Sequence, residues 1–200
     1  EIFVYPDPLW RDFEGWGNYG GWVLGPHAYP ADGEGDLVFT EAIAAYMQQH
    51  YCIDPQRIFA TGHSWGGDMA MVVGCFLGDL FRATAPVAAN RAYWFEDGSG
   101  FIDCEGDAAV WTLFGENDTH FTWQDYPGQF GDECRDFWLA ENSCDGVGSY
   151  DSLAMGDGDE CVEFTGCDSR TRYCLYDSQW GHQIPADYFA AETMAFFRSF

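Results

Sequence analysis

Residues 57–67 read Arg57-Ile58-Phe59-Ala60-Thr61-Gly62-His63-Ser64-Trp65-Gly66-Gly67. The first five form a short apolar strand, and Asp68 to Leu77, small and apolar, has the pattern of a buried helix. Between them Gly62-x-Ser64-x-Gly66 leaves room only for a tight turn. In a strand–turn–helix of this kind the serine sits on strained backbone and its hydroxyl projects from the end of the sheet. The flanking glycines carry no Cβ, so strand and helix can approach closely. In a chain with 24 glycines among 200 residues the motif alone is weak, and the strand before it and helix after it give it weight.

The same alternation continues outward. Asp54-Pro55 marks a turn before the first strand, and Asp36 caps a preceding helix whose face carries Phe39, Ile43, Tyr46, Met47 and His50. Downstream, Ala83–Ala88 and Ala108–Phe114 read as strands. Gly128–Glu141 reads as a helix with Phe130, Phe137 and Trp138 inward. Cys161–Phe164 and Arg172–Tyr176 read as later strands, and Ala186–Phe200 as an amphipathic helix carrying Phe189, Met194, Phe196 and Phe197. Upstream, Ile2-Phe3-Val4-Tyr5 reads as a buried strand, and Trp10 to Gly35 as a long loop without periodicity. Alternating strands and helices predict an α/β fold with a mostly parallel sheet and helices on both faces, with ligands at the carboxyl ends of the strands.

Composition excludes several function classes. Eight basic residues, all Arg, stand against 33 acidic ones, a net charge of −25. Such a surface repels nucleic-acid phosphates and anionic lipid, so neither is an expected partner. No apolar run reaches the roughly 18 residues of a membrane span. The absence of Lys removes a Ser–Lys dyad. Eight cysteines without a zinc spacing favour disulfides and an oxidising compartment, with Cys75 either bridged or a buried thiol, and no metal is expected. Gly156-Asp157-Gly158-Asp159-Glu160 lacks calcium-loop spacing and reads as a solvated turn.

A serine needs a base, and in this fold the partners follow in the order Ser, acid, His, each from a loop after a later strand. Asp118 lies just after the strand ending at Phe114, and His182 just after the strand ending at Tyr176. Asp118 would hold the imidazole, and His182 would take the Ser64 proton and return it to the leaving group. The Trp65 amide, at the helix start, would meet the oxyanion. Glu116 and Asp125 are rival acids. His27, His50, His63 and His120 are rival histidines: His63 is expected to point away from Ser64, and His120 to be a surface loop residue. Trp10, Trp16, Trp22, Trp94, Trp123 and Trp180 fall in loops around the inferred site. Trp123, Trp180 and Trp22 are the candidate substrate contacts, while Trp111 and Trp138 read as core.

The chain resembles the α/β-hydrolases of the polyhydroxybutyrate depolymerase/feruloyl esterase family, which includes acetylxylan esterases. The segments that carry the likeness are Val4-Tyr5-Pro6-Asp7, Asp54-Pro55-Gln56-Arg57-Ile58, Ala60-Thr61-Gly62-His63-Ser64-Trp65-Gly66-Gly67 and Ala85-Pro86-Val87-Ala88. They continue with Phe114-Gly115 and Asp118, the cysteines from Cys161 to Cys174, and Gly181-His182 with Pro185. The resemblance implies that Ser64, Asp118 and His182 are nucleophile, acid and base of a secreted, cofactor-free, monomeric serine ester hydrolase working through an acyl-enzyme. Its substrate would be a small or polymeric ester: feruloyl or acetyl groups on polysaccharide, or poly(3-hydroxyalkanoate). It also places disulfides between Cys144 and Cys174, with Cys167–Cys174 as one guess. Ile184 stands where the family usually has Trp. The family's first strands and its His-Gly oxyanion loop are not found in residues 1–200, which implies a single α/β-hydrolase catalytic domain that starts within its sheet, truncated at the N-terminus, with one edge uncovered and one oxyanion donor missing. The alternatives are a non-catalytic carbohydrate- or polymer-binding homologue with an idle triad, and a peptidase on the same triad.

The charge makes one prediction independent of the fold. Self-repulsion is screened by salt, so the urea midpoint is expected to rise between about 0.05 M and 1 M NaCl. An unchanged midpoint would remove any adaptation to saline surroundings as the meaning of the acidity.

Overall fold

The computed structural model describes residues 1–13, 15, 17–24, 33–90, 96–97, 100–101, 103–149, 160–177, 181–184 and 189–200. In chain order the elements are β1 (Trp10–Phe13), β2 (Gly17–Gly20), α1 (Gly33–His50), β3 (Phe59–His63), α2 (Trp65–Phe76), β4 (Ala83–Val87) and β5 (Glu96–Asp97). They continue with β6 (Gly100–Phe101), β7 (Ala109–Gly115), α3 (Gln129–Glu141), β8 (Gly146–Ser149), β9 (Glu160–Thr165), β10 (Thr171–Tyr176) and α4 (Phe189–Arg198). The main sheet has the order β3-β4-β7-β10-β9-β8. Its first four strands are parallel, and β9 and β8 extend it antiparallel.

Period-two alternation sorts the strands into two packed faces. Ala83, Ala85 and Val87 of β4, Trp111 and Leu113 of β7, and Cys174 and Tyr176 of β10 share one face with Phe196 and Phe197 of α4. The Trp111 and Phe196 rings lie 5.5 Å apart. Val110 faces the other way, toward Met71, Val72 and Val73 of α2 and Phe137 and Trp138 of α3. Helices therefore cover both faces, as the alternation predicts, and Trp111 and Trp138 are core residues. The small residues of β4 are what let α2 and α4 sit close to the sheet on either side.

The N-terminal third departs from the sequence expectations. Residues 1–9 form no strand, and Ile2, Phe3, Val4 and Tyr5 are exposed. An apolar run becomes a buried strand only beside a partner edge, and these residues pair with no strand among the described residues. The expected loop from Trp10 contains the antiparallel hairpin β1–β2, turned through Gly15 and Gly17, both with positive φ. Asp36 is not the cap of α1, which begins at Gly33. Its buried carboxylate accepts from the Val23 N–H at 2.7 Å and from Arg11 at 2.6 Å. That anchor turns the Asp36–Ala44 side of the helix inward, so Phe39 and Tyr46 face out at 42% and 55% exposure, and His50 is exposed. Helix α2 starts at Trp65, three residues before the expected Asp68, because the turn is tighter than the apolar pattern suggests. Strand β8 has too little apolar character to be read from sequence.

The disulfides are Cys75–Cys104, Cys144–Cys167 and Cys161–Cys174. Cys75 is thus bridged, and Cys167 pairs with Cys144 rather than Cys174. The register explains this: Cys161 and Cys174 lie opposite each other in the β9–β10 ladder, so Cys174 already has a partner. Cys52 and Cys134 are free thiols. The acidic segment Gly156–Asp159 lies outside the described residues.

The Cys161–Cys174 bridge joins two strands 13 residues apart. Replacing both by serine is expected to cost about 2–3 kcal/mol by the loop-entropy relation, read as a lower urea midpoint under non-reducing conditions. Wild-type protein treated with dithiothreitol should show at least the same loss.

Candidate active site

Three loops at the carboxyl ends of β3, β7 and β10 supply the site. Ser64 joins β3 to α2 with φ 56° and ψ −122°, a sparsely populated positive-φ conformation that costs a non-glycine residue about 1–3 kcal/mol. It is held from both sides: the Ser64 N–H donates to the Val87 carbonyl at 2.9 Å, and the Ser64 carbonyl accepts from the Asp68 N–H at 2.9 Å. A Cβ at Gly62 would lie 2.2 Å from the Gly66 carbonyl oxygen, and one at Gly67 would lie 2.6 Å from the Val87 oxygen, whereas one at Gly66 would meet nothing. The close approach thus depends on Gly62 and Gly67, and not on the second glycine of the motif itself.

Asp118 follows β7 in a short turn closed by its own N–H onto the Gly115 carbonyl at 3.0 Å. Its carboxylate is fully buried. Oδ2 accepts from His182 Nδ1 at 2.8 Å, and Oδ1 accepts from the backbone N–H of His120 at 3.0 Å. A carboxylate only accepts, so His182 Nδ1 carries the proton. That leaves the Nε2 lone pair facing the Ser64 hydroxyl, 2.8 Å away. Glu116 and Asp125, the rival acids, are both exposed. Ser64, His182 and Asp118 form one continuous hydrogen-bonded chain.

Trp65 is the first residue of α2, and its N–H is among the donors that a helix leaves unpaired in its first turn. Its indole donates to the Trp22 carbonyl at 2.9 Å, and its ring lies 4.9 Å from that of Phe13. Trp22 is half-buried and packs against the same core cluster. Trp123 is exposed, with its ring 5.5 Å from Phe121. Trp180, Trp16, Trp94 and His27 lie outside the described residues. Among the described residues no cluster of His, Cys, Asp and Glu could hold a metal, and no helix is long and apolar enough to cross a membrane.

Two of the rival histidines pack against His182. The His63 ring lies 4.9 Å from that of His182, because β3 ends beside the histidine loop. Burial is the main cause that lowers the His63 pKa, with the His182 charge adding to the effect. His120 is exposed, as expected of a loop residue, yet its ring stacks on His182 at 4.1 Å and 10°. Phe121, buried beside them, meets His182 edge-on at 5.3 Å. Sequence reasoning passed over Phe121, although it lies three residues past the acid. Asp68 was also passed over. It is buried behind Ser64, and its Oδ1 accepts from the Asn90 N–H at 2.5 Å.

The fold and site define an α/β-hydrolase architecture. An acetyl xylan esterase from Aspergillus awamori superposes with a TM-score of 0.68 at 17% identity, over 90% of this chain and 73% of that one. A Bacillus cereus carboxylesterase superposes with a TM-score of 0.52 at 13% identity, over 94% and 72%. Residues 31–99, about a third of the chain, match the prolyl oligopeptidase family. In sequence the chain is similar to feruloyl esterase B of Piromyces equi, 39% identical over 77 residues, which is 38% of this chain and 14% of that protein. Feruloyl esterase C of Emericella nidulans is 26% identical over 181 residues, 90% of this chain and 56% of the relative. A probable feruloyl esterase C of Aspergillus niger matches to the same extent. The chain thus spans about half the length of the feruloyl esterases C that it matches.

Burial pushes the Asp68 carboxyl up to about 7, against the opposing pull of the Asn90 N–H. A carboxyl whose folded pKa is raised contributes stability at low pH and loses it as pH rises through the folded value. Relative to Asp68→Asn, the wild type is expected to lose on the order of 3 kcal/mol between about pH 4 and pH 8. Urea titrations of both proteins across that range check the sign. Parallel curves would show that Asp68 is already ionised in the fold at low pH.

Proposed function

We propose that the protein is a secreted serine carboxylic ester hydrolase in which Ser64 is the nucleophile, His182 the base and Asp118 the acid. The observation that carries this reading is the hydrogen-bonded chain Ser64–His182–Asp118, with both links at 2.8 Å. As the Ser64 oxygen attacks the ester carbonyl carbon, its proton passes to His182 Nε2, and Asp118 stabilises the resulting imidazolium. The Trp65 N–H donates to the oxyanion. Collapse breaks the bond to the leaving alcohol, which takes the Nε2 proton, and leaves an acyl group on Ser64. Water, deprotonated by His182, then releases the acid and restores the serine.

The alcohol must leave on the side of His182. The loop from Thr119 to Pro127 lines a half-open cavity of about 160 Å³, and Phe121 is both one of its walls and a neighbour of His182. The hydroxyls of Thr119 and Thr122 beside exposed Trp123 suit a sugar hydroxyl face and an aromatic platform. Trp123, with Trp180 and Trp22, is proposed to contact substrate. Similarity to feruloyl esterases supports aryl or acetyl esters on polysaccharide over a polyester substrate, and three disulfides support an oxidising, extracellular setting.

Methyl ferulate, acetylated xylan and polyhydroxybutyrate film test the substrate class directly. Ser64→Ala and His182→Ala are each expected to lower kcat/KM by about 10³-fold or more, with little change in fold by circular dichroism. Asp118→Asn should lower kcat by up to about 10⁴-fold. Hydrolysis that survives Ser64→Ala would overturn the mechanism.

A further inference from the structure

The proposed base is enclosed by rings on several sides, and one of them also touches the acid. From the end of β3 comes His63. From the loop after β7 come His120 and Phe121, with the Asp118 carboxylate at Nδ1 and the Ser64 hydroxyl at Nε2. His63, His120 and Asp118 are therefore the titratable groups that face His182 among the described residues. They differ in their access to protons. Burial lowers the pKa of His63 and so favours its neutral form. Asp118 is buried and committed to His182 and to the His120 N–H. His120 is exposed and lies flat on His182, so of the three it alone is open to solvent.

We propose that His120 is a positioning residue for His182, and that its charge sets the reactivity of Ser64. The inference rests on the triad reading above. Two contacts carry it. The His120 N–H occupies Asp118 Oδ1, which leaves Oδ2 as the oxygen for His182. The His120 ring covers one face of the base at 4.1 Å, opposing rotation of the imidazole away from Ser64. A neutral imidazole in that place permits the imidazolium that His182 becomes during acyl transfer. A cationic one repels it across van der Waals distance and so opposes removal of the Ser64 proton.

The test is the second-order rate at which a fluorophosphonate labels Ser64, measured on the full chain from about pH 4.5 to pH 9, a range that spans histidine titration. In the wild type the rate is expected to fall in two separated steps as pH decreases. His120→Phe keeps a ring and removes its charge. It is expected to give a single one-proton curve with a plateau within about threefold of the wild type. His120→Ala removes the ring as well, and should lower the plateau roughly tenfold while the thermal midpoint holds. A one-proton curve in the wild type, or a two-step curve retained in His120→Phe, would overturn the proposal and leave the triad standing. A folded wild type whose labelling equals that of Ser64→Ala would overturn the triad reading and this inference with it.

Discussion

The structure turns on the absence of two Cβ atoms. Gly62 lies against the Gly66 carbonyl and Gly67 against that of Val87, so β3, α2 and the end of β4 meet at distances no other residue allows. Ser64 is carried through this contact with φ 56°, and the strain is opposed by the hydrogen bond from its N–H to Val87. The same Val87 oxygen therefore limits both the side chain at 67 and the backbone at 64. Because β4 pairs with β7 and β7 with β10, that junction also sets where the Asp118 and His182 loops emerge.

Where packing follows local pattern, the fold was legible in the sequence. Strands β4, β7 and β10 are short apolar runs buried from both sides, and α3 shows its inward Phe130, Phe137 and Trp138 at helical spacing. Legibility failed where a single polar contact outweighed the pattern. Helix α1 carries its largest apolar side chains outward because Asp36, a residue that reads as a cap, is anchored inward by Arg11 and Val23. The strand reading of residues 2–5 failed for a different reason. Their composition suits burial, but burial of backbone needs a paired edge, and pairing is not a property of the segment itself.

The hydrogen-bonded trio proposed as the triad was legible because order along the chain, position after a strand and residue type restrict one another: few residues satisfy all three, and Ser64, Asp118 and His182 do. The surroundings of the base were not legible. Nothing in the spacing of Asp118-Thr119-His120-Phe121 distinguishes a ring stacked on His182 from one in water. What separates them is the turn at Asp118, whose carboxylate takes the His120 N–H and so swings the next two side chains over the base. His63 is a related case. Its position before Ser64 gives no sign that its ring lies beside His182.

The aromatic-rich segment before α1 takes on a different meaning once the contacts of Trp65 are known. Its abundance of Trp and Tyr suggests a surface that grips substrate. Yet the Trp65 ring is confined by Phe13, by the Trp22 carbonyl and by Gly21, where an added Cβ would lie 2.4 Å from the indole. These contacts belong to the hairpin segment and act on the residue directly after the serine. Fixing the Trp65 ring fixes the start of α2, and with it the N–H donors of the first turn, which no hydrogen bond within the helix can hold. Preorganised donors stabilise a developing oxyanion only insofar as they need not move when it forms. The segment thus contributes to the proposed chemistry first through the rigidity of a backbone amide. Exposed Trp123, whose ring lies 5.5 Å from that of Phe121, is by contrast free of this clamp.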